Sequence, residues 1–505
     1  MTQTSDLYKK LYEYNQSDYY GFHMPGHKRN VRAAGIDLPY GIDITEIDGF
    51  DDLHHADGIL KEAQERAAFI YGADETRFLV NGSTVGILSA ILGSTEKGDR
   101  ILAARHCHKS VYHAICLNEL CPCYLYPEFE EEIHLNTEIS VSAVRTALME
   151  YPDIKAVMIV SPTYDGVVSD IEGIAEAVHE KGIPLIVDEA HGAHFGFHPY
   201  FPENALSKGA DIVIHSVHKT LPSLTQTALL HIRGDIANRD RIFRYLDMLQ
   251  SSSPSYVLMA SIEHCIRMLE ERREALFVPY VERLVKIRED LKTLKCLELL
   301  ETRQYDRSKL VLSTGVTGIS GKELYQILLN EYHLQMEMAA GTYVIAMTSV
   351  ADTEEGFERL RRALFEIDER FCMQKSCDVT SVKCQGSLLE EQTVRSAAEE
   401  ENDIDILNRR PGNEQVMTIA DALMMADERA GSRASVRVRW QQAEGMISAE
   451  YAYLYPPGSP LIVPGERISH DAVRLLERYD AAGFSIEGPK CAGQIEVLDN
   501  THRSR

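Results

Sequence analysis

Three short apolar runs limit what this chain can fold into more than any other feature. They are Ala156–Val160, Pro184–Val187 and Asp211–His215. None alternates polar with apolar residues, so each is expected as a strand buried on both faces. Between the first two lies a segment whose Ile171, Ile174, Ala175 and Val178 recur at helical spacing before Lys181-Gly182. An earlier segment repeats the pattern, with Asp57 as the predicted N-cap, apolar positions at Ile59, Ala63, Ala67 and Ile70, and a stop at Gly72. Strand, helix and strand in alternation from about 57 to 235 predict a mostly parallel α/β sheet. Such sheets bind ligands beyond the carboxyl ends of their strands.

The rest of the chain divides around that core. Residues 1–56 read as an irregular N-terminal segment with one helix from Leu7 to Tyr14. Residues 57–295 form the major domain, closing in long charged helices after 236. A smaller α/β domain is expected over 296–372, with strands at 309–313, 334–338 and 343–348 and helices at 321–330 and 354–368. Residues 373–415 are polar, acidic and poor in aliphatics, which predicts a flexible linker. A C-terminal α+β domain follows over 416–505, with a helix from Ile419 to Glu428 and the sole tryptophan, Trp440. The formal net charge of −25 argues against nucleic acid or an anionic membrane as partner and suits a cationic substrate. The ten cysteines show no metal-site spacing, and Cys121-Pro122-Cys123 reads as two loop thiols, so no metal is expected. Unpaired cysteines, no leader pattern and no long apolar run predict a cytoplasmic protein.

Two strand ends carry chemistry. Asp188 opens Asp188-Glu189-Ala190-His191-Gly192-Ala193-His194, and Lys219 closes Ser216-Val217-His218-Lys219. A lone lysine after a strand is an ordinary surface residue. A carboxylate and a lysine at neighbouring strand ends can grip opposite ends of a pyridine ring, the first on the ring nitrogen and the second on an aldehyde carbon. That pairing predicts pyridoxal 5'-phosphate. Asn81-Gly82-Ser83-Thr84-Val85-Gly86 lies between a strand and a helix, where open N–H groups and the hydroxyls of Ser83 and Thr84 suit a phosphate, or simply cap the helix. Ser216 and His218 are further phosphate candidates. His108, in Arg105-His106-Cys107-His108-Lys109-Ser110, is a flat side chain able to stack on a ring; a His-rich surface turn is the alternative. Thr163, in Ser161-Pro162-Thr163-Tyr164-Asp165-Gly166, offers a hydroxyl at another strand end.

Eight motifs in order, HMPGHK, DLHHADGIL, NGSTVG, RHCHKS, SPTYDG, DEAHGAH, SVHKTLPSLTQ and YPPGSPLIVPGE, resemble the Orn/Lys/Arg decarboxylases of the aspartate-aminotransferase fold type (fold type I). The resemblance runs over about 20–235 and 416–490. It implies that Lys219 bonds the cofactor, Asp188 pairs with its ring nitrogen and His108 stacks on the ring. Ser83, Thr84, Ser216 and His218 would hold the phosphate, with Thr163 and His191 completing the cofactor-binding set. The catalytic set is then Lys219, His218, Asp188 and His108. The family also implies a homodimer or higher homo-oligomer with active sites at the subunit interface. HMPGHK begins at residue 23, so the expected match is the short form lacking an N-terminal wing domain. His191 stands where long forms can carry tryptophan.

The reaction implied is decarboxylation of a basic amino acid, in polyamine synthesis or acid-consuming catabolism. L-Arginine to agmatine is placed first, lysine and ornithine after it. An aminotransferase or another lyase of the same fold is the second reading, and a non-catalytic binding protein the third. The intact Asp188 and Lys219 argue against the third. Glu444 and Glu450, near YPPG, are weighed as contacts for a basic side chain, with an exposed surface position as the ordinary fate of each.

Overall fold

The structure is a computed structural model describing residues 6–20, 22–30, 32, 35–382, 412–427, 435–454 and 458–499, with backbone alone over 375–382. Of the stretch 373–415 expected as a flexible linker, residues 373–382 continue the helix Glu354–Val382 and Glu414–Gln415 pair with Glu466–Arg467, while 383–411, and Tyr455-Pro456-Pro457 of the late motif, lie outside the described residues. The chain separates into two compact units, Met1–Ala103 with Ser140–Val281 and Ser349–Ala351, and Ala104–Ile139 with Glu282–Thr348 and Asp352–Arg505.

In the first unit the strands Glu75–Leu79, Ala228–Ile232, Ile212–His215, Leu185–Asp188, Ile154–Val160 and Arg100–Ala104 lie side by side in that order. The last four run parallel, and Ala228–Ile232 and Glu75–Leu79 close the edge antiparallel. The three apolar runs thus occupy adjacent central strands, whose side chains are almost all buried. Burial on both faces is why they lack alternation.

Helices pack on this sheet at glycines. A Cβ at Gly86, in Gly82–Ser94, would sit 2.7 Å from Leu79 Cδ1 and 3.3 Å from Ile214 Cγ2. One at Gly93 would sit 2.6 Å from the Ile242 Cα, so that glycine lets Gly82–Ser94 meet Arg239–Leu249 backbone to backbone. The helix Ile59–Tyr71 ends at left-handed Gly72 as predicted, but Asp57 does not cap it. Asp51 does, its carboxylate accepting N–H bonds from Asp57, Gly58 and Leu60 at 3.1, 2.9 and 2.9 Å. That cap comes from a left-handed residue (φ 68°) well upstream, beyond the local N-cap pattern. No helix among the described residues is long and apolar enough to cross a membrane.

The second unit holds a four-stranded antiparallel sheet ordered Glu298–Leu300, Lys309–Ser313, Tyr343–Met347 and Met338–Ala339, with helices Gly321–Tyr332 and Glu354–Val382. Ser320 and Glu323 form a capping box on the first helix. The buried Asp368 on the second accepts N–H bonds from Lys295, Cys296 and Leu297, at 2.7 Å for Cys296, and so fixes the entry to the sheet. Toward the C-terminus, Ser435–Arg439 pairs with Gln494–Leu498, and Ala452–Leu454 with Ser459–Ile462. The helix His470–Ala481 buries Val473, Leu476 and Tyr479 against Trp440, Ile462 and Ile495.

Candidate active site

Asp188 ends its strand, its carbonyl accepting the Ser161 N–H at 3.1 Å. The side chain is buried, and its carboxylate accepts the Ala190 N–H at 3.1 Å. Burial pushes its pKa up; the Lys219 cation and the Ala190 N–H oppose that rise. A buried carboxylate held near charge balance by a lysine is poised to take a protonated ring nitrogen.

Lys219 stands on the one-turn helix Val217–Thr220, directly after Ile212–His215. The turn is pinned by the Val217 N–H to the Thr227 carbonyl at 3.1 Å, and the Lys219 Nζ meets His191 Nε2 at 3.0 Å. His191 is buried against the Tyr164 ring, centroids 4.7 Å apart. Gly192 makes this turn possible, because a Cβ there would lie 2.6 Å from Glu189 Cγ and 3.0 Å from Pro162 Cδ.

The phosphate candidates also converge. Ser216 Oγ donates to Ser83 Oγ at 3.0 Å. Gly82 is left-handed (φ 73°) and its N–H donates to the Gln226 carbonyl at 3.0 Å. Asn81, at the N-cap position, makes no side-chain cap; its Oδ1 accepts the Ser251 N–H at 3.1 Å instead. The N–H groups that follow Gly82 in the first turn are therefore left for another acceptor, beside two hydroxyls, which fits a phosphate. Thr84 is exposed at the same helix start. His218 donates Nδ1–H to the Thr227 carbonyl at 2.9 Å. Burial pushes the ring below its ordinary pKa, the Thr227 bond opposes and the Lys219 charge adds, leaving a neutral ring with Nε2 as acceptor. Thr163 Oγ1 accepts the Val167 N–H at 3.0 Å, so its own proton remains to donate.

His108 lies in the second unit, at the N-cap of Lys109–Leu117, its Nδ1 paired with Ser110 Oγ at 2.9 Å. Its turn is braced by residues that sequence reasoning missed. The buried Arg105 guanidinium meets Glu466 Oε1 at 2.9 Å and the Pro460 carbonyl at 2.8 Å, between the rings of Tyr112 and Tyr124. Ser459 Oγ donates to the His106 carbonyl at 3.0 Å. Three of the late-motif residues, Ser459, Pro460 and Glu466, thus hold the RHCHKS turn. Glu450 is buried rather than exposed, accepting N–H bonds from Glu496 and Lys490 and pairing with Arg437 at 3.2 Å; Glu444 is exposed and pairs with His470. A second feature unread in the sequence is a buried row of Thr76, His231, His215 and Glu189 beneath the Asp188 turn.

Comparison with known proteins follows the same lines. The family model described as Orn/Lys/Arg decarboxylase, major domain, matches residues 5–348, and the model of that family's C-terminal domain matches 409–484. An uncharacterised protein of Bacillus subtilis (strain 168), YaaO, is 35% identical, covering 95% of each chain. An arginine decarboxylase of the same organism is 31% identical over 96% of this chain and 95% of its own. The inducible lysine decarboxylase of Escherichia coli (strain K12) is 23% identical over 93% of this chain and 76% of its own. The fold is shared with the Francisella novicida lysine decarboxylase LdcF at a TM-score of 0.81 and 20% identity, covering 98% of this chain and 81% of that one. With both family domains matched in order on a type I fold, the chain belongs to the Orn/Lys/Arg decarboxylase family.

Proposed function

We propose that this decarboxylase converts L-arginine to agmatine and carbon dioxide, using pyridoxal 5'-phosphate bonded to Lys219. The observation that carries the reading is that Asp188 and Lys219 come together at the carboxyl ends of the adjacent strands Leu185–Asp188 and Ile212–His215, with Ser83 bonded to Ser216 beside them. Bound there, the cofactor supplies an electron sink for the pair released at Cα when carbon dioxide leaves.

Each residue then has a physical task. Asp188 holds the ring-nitrogen proton by a charge-assisted hydrogen bond. The uncapped start of Gly82–Ser94, with Ser83, Thr84 and Ser216, holds the phosphate. Lys219 Nζ, oriented by His191, and His218 Nε2, once that nitrogen has itself taken up a proton, are the two positions from which a proton reaches Cα. The family resemblance assigns His108 the ring face, and Thr163 has a hydroxyl proton to donate toward the ring oxygen. Arginine is favoured because relatives named arginine decarboxylase stand at 30–31% identity, above those named lysine decarboxylase at 23–25%. The acidic balance of the chain suits a cationic substrate. The eight described cysteines are free thiols, which supports a cytoplasmic setting, and the family resemblance supports a homodimer or larger homo-oligomer.

Side-by-side kinetics on arginine, lysine and ornithine, with carbon dioxide and amine quantified, test the reading. A site built for a guanidinium leaves paired acceptors unsatisfied by an ammonium, so arginine is expected to lead kcat/KM by about 10²-fold or more. A lysine lead overturns the substrate and keeps the reaction. Keto acid in place of carbon dioxide overturns the reaction.

A further inference from the structure

The buried row beneath Asp188 has a proton count that defines its direction. Thr76 Oγ1 lies 2.7 Å from His231 Nδ1, His231 Nε2 lies 3.0 Å from His215 Nδ1, and His215 Nε2 lies 2.7 Å from Glu189 Oε2. All four residues are at most 2% exposed. Thr76 and His231 are register partners on antiparallel strands, so the row crosses the sheet from its edge toward the Asp188 turn. Three contacts need three protons. Two neutral imidazoles, one hydroxyl and one carboxylate carry that number.

A fourth proton, on either ring or on Glu189, would turn an N–H of His231 toward the Thr76 hydroxyl. That hydroxyl has His231 as its partner among the described residues, so its own proton would be stranded in the core. The arrangement that satisfies every contact has Thr76 donating to His231 Nδ1, His231 Nε2–H donating to His215 Nδ1, and His215 Nε2–H donating to the Glu189 carboxylate. Burial drives His231 well below its ordinary pKa, in keeping with a neutral ring.

The receiving end is the hub of the catalytic turn. Glu189 accepts the Ala205 N–H on both oxygens at 3.1 Å, and its carbonyl accepts the Gly192 N–H at 2.8 Å. The Gly192 backbone lies so close to Glu189 Cγ that no Cβ fits between them. Tyr71 packs its ring on both histidines, centroids 4.8 and 4.7 Å away, and donates its hydroxyl to the Ala193 carbonyl at 2.8 Å. Asp188 and His191 are the residues on either side of this hub that face Lys219.

We propose that Thr76, His231, His215 and Glu189 form a one-way positioning chain, in which His215 acts through Glu189 to fix the aim of Asp188 and His191. The role of Asp188 and Lys219 as the cofactor pair, on which this rests, is tested separately by where the cofactor attaches. The first measurement needs no cofactor: ring ¹⁵N NMR of the cofactor-free protein at neutral pH. Both His215 and His231 are expected neutral with the proton on Nε2. An imidazolium signal or an Nδ1–H tautomer at either residue overturns the chain.

The second measurement is pyridoxal-phosphate affinity and turnover in variants. His215→Leu should weaken cofactor binding about tenfold or more, the scale of a lost hydrogen bond to a charged group. His215→Gln, which keeps a donor toward Glu189, should recover most of that loss, and Thr76→Val should weaken binding less than His215→Leu. Equal behaviour of the leucine and glutamine variants, or wild-type affinity in the leucine variant, overturns the positioning role. Should His215→Leu fail to fold, the tautomers of the native protein decide the matter.

Discussion

Glu466→Gln isolates the brace behind the His108 turn. In the native protein Arg105 is fully buried, and its charge is met by Glu466 at 2.9 and 3.1 Å, with the Pro460 and Leu461 carbonyls and the Tyr112 hydroxyl on the other N–H groups of its two terminal nitrogens. Burial disfavours the guanidinium charge, but Glu466 outweighs it and raises the Arg105 pKa, so the cation persists at any working pH. Removing the counter-charge leaves that cation in the core at a cost of about 3–5 kcal/mol. Glu466 also accepts the Val463 N–H at 2.9 Å and the Asn413 Nδ2 at 3.1 Å, and the amide keeps an oxygen for only part of this set. The assay is built in, since Trp440 is the sole tryptophan and is buried in the C-terminal core beside Ile462. Followed by its fluorescence, the urea midpoint should fall by roughly 1–3 M at a slope of about 2–3 kcal/mol/M. Arg105→Met with Glu466→Leu should cost less than Glu466→Leu alone, because no charge is then stranded. A shift in Glu466→Gln below about 0.3 M, or a double variant worse than either single one, would refute the reasoning.

Two further outcomes follow from the site and a third from a buried carboxylate, Glu263, on the helix Tyr256–Leu291. Asp188→Asn should retain part of its cofactor yet lose at least about tenfold in kcat, because a charge-assisted bond worth about 1.5–3 kcal/mol is gone; a near-normal rate would make Asp188 purely structural. Gly192→Ala pushes a methyl against Glu189 and Pro162, and overpacking of about 1–3 kcal/mol should lower thermal stability and cofactor affinity together; unchanged values would show that the turn yields. Burial lifts Glu263 to about 7 against the pull of Arg267 and Arg66. The folded chain therefore holds a proton that the unfolded chain releases above about 4.5, and stability falls as pH rises from about 4.5 to about 7. Denaturation midpoints across that range should show the fall, and Glu263→Gln should flatten it.

What the sequence made legible was local. The unbroken apolar runs announced buried parallel strands, and Gly72 announced a helix stop, because each is set by neighbours within one element. The carboxylate–lysine pair could be read because both members end such strands. Asp51 escaped notice because its cap reaches forward over six to nine residues, outside the N-cap pattern. Arg105 and Glu466 lie 361 positions apart, and Thr76 and His231 lie 155 apart. No periodicity encodes such pairs. A charged residue next to an apolar run was the only signal they carried, and Arg105 after Ile101–Ala104 and Glu466 after Leu461–Val463 both had it. Glu450 was misjudged for the same reason, since its partners come from a strand that the sequence did not announce.

The most direct test of the account is the point of attachment of the cofactor. Protein loaded with pyridoxal phosphate, reduced with borohydride, digested and mapped by mass spectrometry should carry the pyridoxyl mass on the peptide containing Lys219 and nowhere else, and Lys219→Ala should fold, carry no adduct and release no carbon dioxide from arginine. A stable adduct on another lysine, or carbon dioxide release by the alanine variant, would contradict it.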